Sequence, residues 1–161
     1  MSTLEFMMRA IELSRQSLSQ PGTAPFGAVI VRDGVIVGEG LNHAGGHFDP
    51  TSHGEVEAIR DACARLQTLD LTGCDLYSSC EPCALCVATM RIARIRKLYY
   101  AASLAQAGGA ITDAMRPTID VDDLRSEAGL PAHDRKMPAE QFADAAAMEV
   151  LNAWAAKAKA G

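Results

Sequence analysis

Hydrophobic residues recur at helical spacing over the first eighteen residues of the chain. This pattern predicts an amphipathic helix over residues 3–18. The segment "QPGTAP" that follows contains two prolines and a glycine, which break a helix. The apolar positions that define the helix are Leu4, Met7, Met8, Ile11 and Leu18.

Two runs rich in β-branched residues predict a β-hairpin directly after this break. They cover Phe26–Val31 and Val35–Leu41, and Asp33-Gly34 lies between them. Asp-Gly favours the tight turns that join antiparallel strands, because both residues tolerate a positive φ. The next segment, "NHAGGHFDPT", is rich in glycine and polar residues and predicts a loop.

The middle of the chain alternates between helical and strand patterns. A helix is predicted from Ser52 or His53 to Leu66, because its apolar residues fall on one stripe. "DLYSS" predicts a short strand, "CEPCALCVATMRIARI" a turn that enters a helix, and "KLYYAA" another strand. Pro82 suits the first position of the second helix.

The last third of the chain is harder to interpret. Residues 103–138 show no clear period, and residues 139–160 predict an Ala-rich helix. Strands that alternate with helices predict an α/β fold in layers, with part of its sheet parallel. A length of 161 residues fits one domain, so we expect residues 1–161 to form a single domain.

The composition limits where the protein is expected to be located and which partners it is expected to bind. The chain is 48% hydrophobic and 22% charged, as in ordinary globular proteins. No apolar run is long enough to span a membrane, and the first residues lack a basic leader followed by an apolar core. We therefore expect a cytoplasmic protein with no membrane partner.

The net charge of −5 argues against nucleic acid as the main partner, because neutralisation of phosphates drives such binding. One basic cluster, Arg91, Arg94, Arg96 and Lys97, follows the apolar part of a predicted helix. Cations at that position complement the helix dipole, so we favour a structural role for the cluster over an RNA-binding patch.

Three of the five cysteines lie close together in "CEPCALC". The two-residue gap between Cys83 and Cys86 allows both sulfurs to bind one metal ion, and a position at the start of a helix favours their thiolate forms. The same spacing also occurs in redox dithiols, and two small core residues are the third alternative.

His53 and Glu55 are the candidate partners of these cysteines. His53 begins the helix that follows the glycine-rich loop, and three protein ligands would leave one zinc position open, as in catalytic sites. Glu55 lies two residues further on and suits a proton shuttle. Glu57 is interpreted as a solvated or capping carboxylate, and Cys80 is the nearby candidate for a fourth ligand.

These residues fit a known signature. "HGE" followed by "PCALC" matches H-x-E…P-C-x-x-C, the pattern of zinc-dependent nucleobase deaminases. Together with "PFGAVIV" and "DPTSHGEVEAIR", it makes the chain resemble the cytidine deaminase superfamily over roughly residues 1–115. The order of "PFGA", Asn42 and "DPT" is similar to guanine deaminases and transfer-RNA adenosine deaminases.

The resemblance implies a three-layer α/β/α fold with a central five-stranded mixed sheet. It also implies that His53, Cys83 and Cys86 hold Zn²⁺, which activates water for attack on the base. Glu55 would carry protons from water to the ring nitrogen and to the leaving amine, and ammonia would be released. Relatives are commonly dimers, and the Ala-rich last helix offers a surface for pairing, so we expect a homodimer.

The expected substrate is a small purine-like base or nucleoside, with guanine favoured. Asn42 would contact the ring edge through its amide, and Asp113 in "ITDA" would accept hydrogen bonds from an amino-bearing purine. Phe26 belongs to the "PFGA" motif, and Gly54, in place of the usual alanine, would leave space beside the ring. Asn42 and Asp113 also suit structural roles, as a turn residue that ends a strand and as a helix cap.

Several departures from the family pattern keep other reactions open. "CALC" replaces the common "CPMC", and the end of the chain lacks an aromatic residue found in guanine deaminases. Transfer RNA, cytosine, guanosine, a pterin or a triazine are the alternative substrates. A zinc-stabilised binding module without turnover is the non-enzymatic alternative, but it would have no need of Glu55. A thiol oxidoreductase would leave His53 and Glu55 unexplained.

Overall fold

A computed structural model describes residues 2–111 and 121–160. The chain divides into two compact units, Met1–Val121 and Asp122–Gly161. The prediction of one domain over residues 1–161 stays a prediction. Within the described ranges, no helix is both long and apolar enough to cross a membrane.

The first unit is built from four strands and five helices among its described residues. The strands are β1 (Ala24–Arg32), β2 (Val35–Asn42), β3 (Asp75–Cys80) and β4 (Lys97–Ala102). The helices are α1 (Thr3–Arg15), α2 (Ala44–His47), α3 (Gly54–Leu66), α4 (Ala84–Ile92) and α5 (Leu104–Ile111). A 3₁₀ turn, Gln16–Leu18, extends α1, so the helix predicted over residues 3–18 is confirmed.

The sheet has the order β2-β1-β3-β4. β1 pairs with β2 and β3 in antiparallel fashion, and β3 pairs with β4 in parallel fashion, so the predicted mixed sheet is confirmed. The hairpin between β1 and β2 turns through Asp33 and Gly34, which have φ of 50° and 76°. Two positive φ values in succession match the twist of the flanking strands, as Asp-Gly predicted.

Layers of helices cover both faces of this sheet. Ala28 and Ile30 of β1 face α3 and α4 in one core, and Val29 and Val31 face α1 in the other. The alternation follows from the period of two in a strand, which sends successive side chains to opposite faces. The predicted α/β/α layering is therefore confirmed.

The prediction of five strands is wrong for the described residues, where the sheet has four. After β4 the chain enters α5 instead of another strand. Ser103 and Gln106 form reciprocal hydrogen bonds, Gln106 N–H to Ser103 Oγ at 3.1 Å and Ser103 N–H to Gln106 Oε1 at 2.8 Å. This S-x-x-Q capping box starts a helix in a segment that we interpreted as irregular.

The loop predicted after β2 contains the short helix α2. The His47 amide donates to the His43 carbonyl at 2.8 Å, and the Gly46 amide donates to the Gly22 carbonyl at 2.7 Å. The second bond attaches α2 to the turn before β1. Local backbone bonds of this kind do not depend on apolar periodicity, which explains why the sequence pattern did not reveal the helix.

Glycines allow α3 to lie unusually close to β2. A Cβ atom at Gly40 would overlap with the carbonyl oxygen of Gly54, and one at Gly38 would overlap with that of Ala58. Ala58 is fully buried in the same contact. The absence of side chains on this part of β2 therefore sets the distance between the strand and the first turn of α3.

The second unit contains α6 (Val121–Ala128) from its second residue onward, a 3₁₀ turn at Ala132–Asp134 and α7 (Asp144–Ala160). The Lys136 amide donates to both carboxylate oxygens of Glu127, at 2.8 and 3.0 Å. The predicted Ala-rich helix is confirmed, but it begins at Asp144 and not near residue 139.

Candidate metal and catalytic site

Two helix starts bring together the histidine and cysteines of the motif. His53 is the N-cap residue of α3, and Cys83 is the N-cap residue of α4, with Cys86 in the first turn of α4. Both N-cap residues have extended backbone, but neither side chain caps its helix. An N-cap side chain normally accepts a hydrogen bond from the backbone of its helix. The side chains of His53 and Cys83 make no such bond and instead contact each other.

The three side chains form a compact triangle. His53 Nδ1 lies 3.6 Å from Cys83 Sγ and 3.5 Å from Cys86 Sγ, and the two sulfurs are 3.7 Å apart. Tetrahedral zinc, with Zn–S near 2.3 Å and Zn–N near 2.0–2.1 Å, requires edges of roughly 3.8 Å between sulfurs and roughly 3.6 Å between sulfur and nitrogen. The observed triangle therefore fits zinc in both donor type and size.

The group of possible metal ligands consists of His53, Cys83 and Cys86 among the described residues. Cys80, the candidate fourth ligand, does not belong to it and is buried in β3. Three donors leave a tetrahedral ion with one open position, which is the arrangement of catalytic zinc sites. A structural zinc with four protein ligands is not supported by this group.

The sulfurs differ in their affinity for protons. The Cys83 and Cys86 sulfurs lie 3.7 Å apart, and their interaction, with help from His53 and the Cys86 amide, lowers the pKa of Cys83 to about 4. The same interaction, together with burial and the nearby Glu55, raises the pKa of Cys86. The site therefore holds one thiolate readily, and a bound cation would displace the proton of the other sulfur.

Glu55 lies beside this triangle in the first turn of α3, and its side chain is buried. Glu55 Oε2 accepts from Cys86 Sγ at 3.3 Å, and Oε1 accepts from the hydroxyl of Ser78 at 2.9 Å. Burial is the main cause that raises the pKa of Glu55, and its hydrogen bonds partly oppose it. A carboxyl group with a raised pKa next to a possible metal site suits the transfer of protons.

Ser78 is a site residue that sequence reasoning missed. It lies in β3 with no exposed surface, on the same side of the strand as Leu76 and Cys80. A serine on an otherwise apolar face of a buried strand was the available signal. The reason for the serine becomes clear only when α3 brings Glu55 against it.

Two of the predicted substrate residues lie near the same end of β1 and β2 as His53. Asn42 is the last residue of β2 and is buried. Its Oδ1 accepts from the Ala44 amide at 3.1 Å, and its amide nitrogen has no partner among the described residues. Phe26 lies in β1, where its carbonyl faces Gly54. Asn42 thus keeps two N–H donors available for a ligand.

The sequence interpretation expected Gly54 to leave space beside the ring of a substrate, but the backbone of β1 lies in that space. A Cβ atom at Gly54 would overlap with the carbonyl oxygen of Phe26 in β1. The glycine allows the first turn of α3 to lie close to the strand. A direct contact between Gly54 and a substrate stays a prediction, and Asp113 lies outside the described residues.

The basic cluster at the end of α4 is partly neutralised by acidic neighbours. Arg96 forms two hydrogen bonds of 2.8 Å with the carboxylate of Asp75, and Arg94 lies 3.2 Å from Asp70. These pairs tie the segment after α4 to β3 and the turn before it. They support the structural role that the sequence favoured for the cluster.

The sequence matches the family described as the cytidine and deoxycytidylate deaminase zinc-binding region over residues 1–102. Guanine deaminase from Bacillus subtilis is 38% identical over 149 residues, which are 92% of this chain and 91% of that protein. The tRNA-specific adenosine deaminase of Agrobacterium fabrum is 40% identical over 111 residues, 69% of this chain and 72% of that one.

Solved structures agree with these sequence relatives. The X-ray structure of Bacillus subtilis guanine deaminase superposes with a TM-score of 0.83 and 36% identity, covering 96% of this chain and 94% of that chain. A structure in complex with 2,6-diaminopurine superposes with a TM-score of 0.62 and 26% identity, covering 76% of this chain and 68% of that chain.

Proposed function

The chain belongs to the cytidine and deoxycytidylate deaminase family of zinc-dependent hydrolases, and we propose that it deaminates a free purine base, with guanine as the favoured substrate. In this reaction water adds its oxygen to the amino-bearing ring carbon, the C–N bond breaks, and ammonia leaves. The observation that carries the proposal is the buried Glu55 carboxyl beside the triangle of His53, Cys83 and Cys86.

His53, Cys83 and Cys86 would hold zinc, and their spacing fits that ion. When bound, zinc supplies a Lewis acid that makes water a nucleophile near neutral pH. Glu55 would carry one proton of the attacking water to the ring nitrogen and the second proton to the departing amine, which leaves as ammonia. Ser78 holds Glu55 Oε1 during these transfers, because its hydroxyl donates to that oxygen.

Asn42 would orient the base through its free amide N–H groups. Purine bases present ring-nitrogen and carbonyl acceptors along their edges, which match these donors. A buried amide also discriminates between bases, because a substrate without the matching acceptor leaves the amide unpaired. Phe26, Gly54 and Asp113 remain proposed substrate contacts on the resemblance alone.

Guanine is favoured over transfer RNA for two reasons. A guanine deaminase matches 92% of the chain, whereas a tRNA-specific adenosine deaminase matches 69% of it. The net charge is −5, and Arg94 and Arg96 pair with aspartates instead of forming an open phosphate-binding surface. A cytoplasmic homodimer remains part of the proposal.

Ammonia release from a panel of substrates tests this function. The panel contains guanine, guanosine, adenine, cytosine, a pterin, a triazine and unmodified transfer RNA, each incubated with the zinc-loaded protein. We expect the highest kcat/KM with guanine, and Asn42→Ala should lower it while zinc content stays unchanged. Efficient deamination of transfer RNA with no turnover of the small molecules would refute the proposal.

A further inference from the structure

The segment from His43 to Ser52 connects the proposed base-binding residue Asn42 with the proposed metal ligand His53. Its two ends meet, because the His43 amide donates to the Ser52 carbonyl at 3.0 Å. Asn42 and His53 adjoin these two residues along the chain. The β2–α3 backbone contact sets the spacing of the two elements, and this segment adds a second connection between the place where a base would be held and the place where it would react.

A chain of side-chain hydrogen bonds crosses this segment. His47 Nδ1 lies 2.9 Å from Ser52 Oγ, and Ser52 Oγ lies 3.0 Å from Glu57 Oε1 in α3. Arg60, one turn further along α3, donates to the same Glu57 oxygen. The side chain of Ser52 has no exposed surface, so it is the buried centre of the chain.

Chemistry fixes the direction of each bond. The Glu57 carboxylate can only accept, so the Ser52 hydroxyl donates to it and must accept from His47. His47 therefore carries its proton on Nδ1. The backbone of Ser52 is also paired at both groups, since its amide donates to the Asp49 carbonyl at 3.1 Å. Every polar group of Ser52 thus works to hold the segment.

Arg60 closes the chain on the outer side of the segment. Its guanidinium donates to Thr51 Oγ1 at 3.1 Å and lies 3.5 Å from the Asp49 carboxylate. Asp49 in turn accepts from the amide and the hydroxyl of Thr51, at 2.8 and 2.7 Å. Both sides of the segment are therefore fastened to α3, the helix that begins with His53.

We propose that Ser52 and Glu57 are positioning residues that set the binding of the base by fixing Asn42 relative to His53. The inference rests on the proposed function. Neither residue belongs to the metal triangle or contacts Glu55 among the described hydrogen bonds. Their loss should therefore weaken substrate binding and leave the chemical step largely unchanged.

Steady-state kinetics with guanine separate these effects. Ser52→Ala and Glu57→Ala should each raise KM by roughly tenfold, the effect of losing one buried hydrogen bond, with zinc content unchanged and kcat within about threefold of the parent. Glu57→Gln keeps an acceptor for Ser52 and should restore most of the KM. Arg65→Gln, which breaks the surface pair with Asp61 on the same helix, is the matched control.

A second comparison tests whether these residues act as one unit. In the Ser52→Ala background, His47→Ala should change KM less than twofold, although it raises KM in the parent. Independent, multiplicative effects of the two substitutions would overturn the proposal. An unchanged KM in Ser52→Ala, or equal losses in Glu57→Gln and Glu57→Ala, would also overturn it.

A failure of the proposed function can be distinguished from a failure of the inference on Ser52 and Glu57. If the zinc-loaded parent fails to deaminate guanine, the proposed function is wrong. Hydrogen exchange of the His43 amide, which donates to the Ser52 carbonyl, then tests directly whether Ser52 holds the two ends of the segment together. Exchange should be faster in Ser52→Ala than in the parent and in Arg65→Gln, and equal exchange in all three would overturn the inference.

Discussion

Ser78→Ala removes the hydroxyl that donates to Glu55 at the centre of the proposed mechanism and that also accepts a longer bond, of 3.4 Å, from the Cys80 amide. The substitution removes a single oxygen atom from a side chain with no exposed surface, and that oxygen donates to Glu55 at 2.9 Å. Glu55 would therefore lose the donor that fixes one of its two oxygens.

The size of the effect follows from the type of bond. A hydrogen bond to a charged group contributes about 1.5–3 kcal/mol, and each 1.4 kcal/mol is a factor of about ten in rate. We therefore expect kcat for guanine to fall roughly 10- to 100-fold.

Three measurements check this expectation. A coupled assay of ammonia release gives kcat and KM, metal analysis gives zinc per chain, and circular dichroism reports the fold. Ser14→Ala is the matched control, because its hydroxyl also makes a part-buried hydrogen bond, to the Ile11 carbonyl in α1. A kcat for Ser78→Ala within twofold of the control, with zinc retained, would show that Glu55 does not need this partner.

Three further predictions concern the ligands, the proton carrier and the surface of the sheet. Cys86→Ala should lose zinc and activity together, and metal analysis that finds a full zinc complement would contradict the proposed ligand set. Glu55→Gln should keep zinc and the fold while kcat falls by roughly 10²–10⁴-fold, whereas turnover at the parent rate would remove Glu55 from the mechanism. Arg9, which donates to Glu39 at 2.7 Å, lowers the pKa of Glu39 below its ordinary 4.5. This pair should therefore stabilise the fold above pH 4.5 by about 1 kcal/mol or less, and the contribution should vanish as the pH falls further. Urea unfolding of the parent and of Glu39→Gln measures the difference in their free energies of unfolding. The same difference at pH 7 and at pH 3 would contradict the assignment.

Much of the fold could be predicted because its elements follow simple periodicities. The alternation in β1 and the Asp33-Gly34 turn predicted the hairpin, and the stripe on α3 predicted that helix. The segments that were misinterpreted, α2 and α5, depend on local hydrogen bonds of His43 and Ser103. Such bonds involve polar residues that also occur in loops, so hydrophobic periodicity does not distinguish the two.

The residues of the candidate site also divide into those that could be predicted from sequence patterns and those that could not. His53, Cys83 and Cys86 could be predicted, because metal chemistry restricts residue type and spacing so strongly that the motif is specific. Ser78 and Ser52 could not, because a serine hydroxyl acquires a role only from its neighbours in space. Gly54 was misinterpreted for a related reason, since sequence gives the missing side chain but not the strand that approaches it.

The close contact of α3 with Gly38 and Gly40 has a consequence for metal uptake. Backbone atoms that touch backbone atoms cannot relax by rotating a side chain, so the start of α3 is held in register with β2. His53 is consequently presented by a rigid scaffold before any ion arrives. We expect zinc to enter a prefolded chelator, with little of the heat-capacity change that accompanies metal-induced folding of zinc fingers. Removal of zinc with a chelator should then abolish the activity reversibly, while the helices and the sheet remain folded.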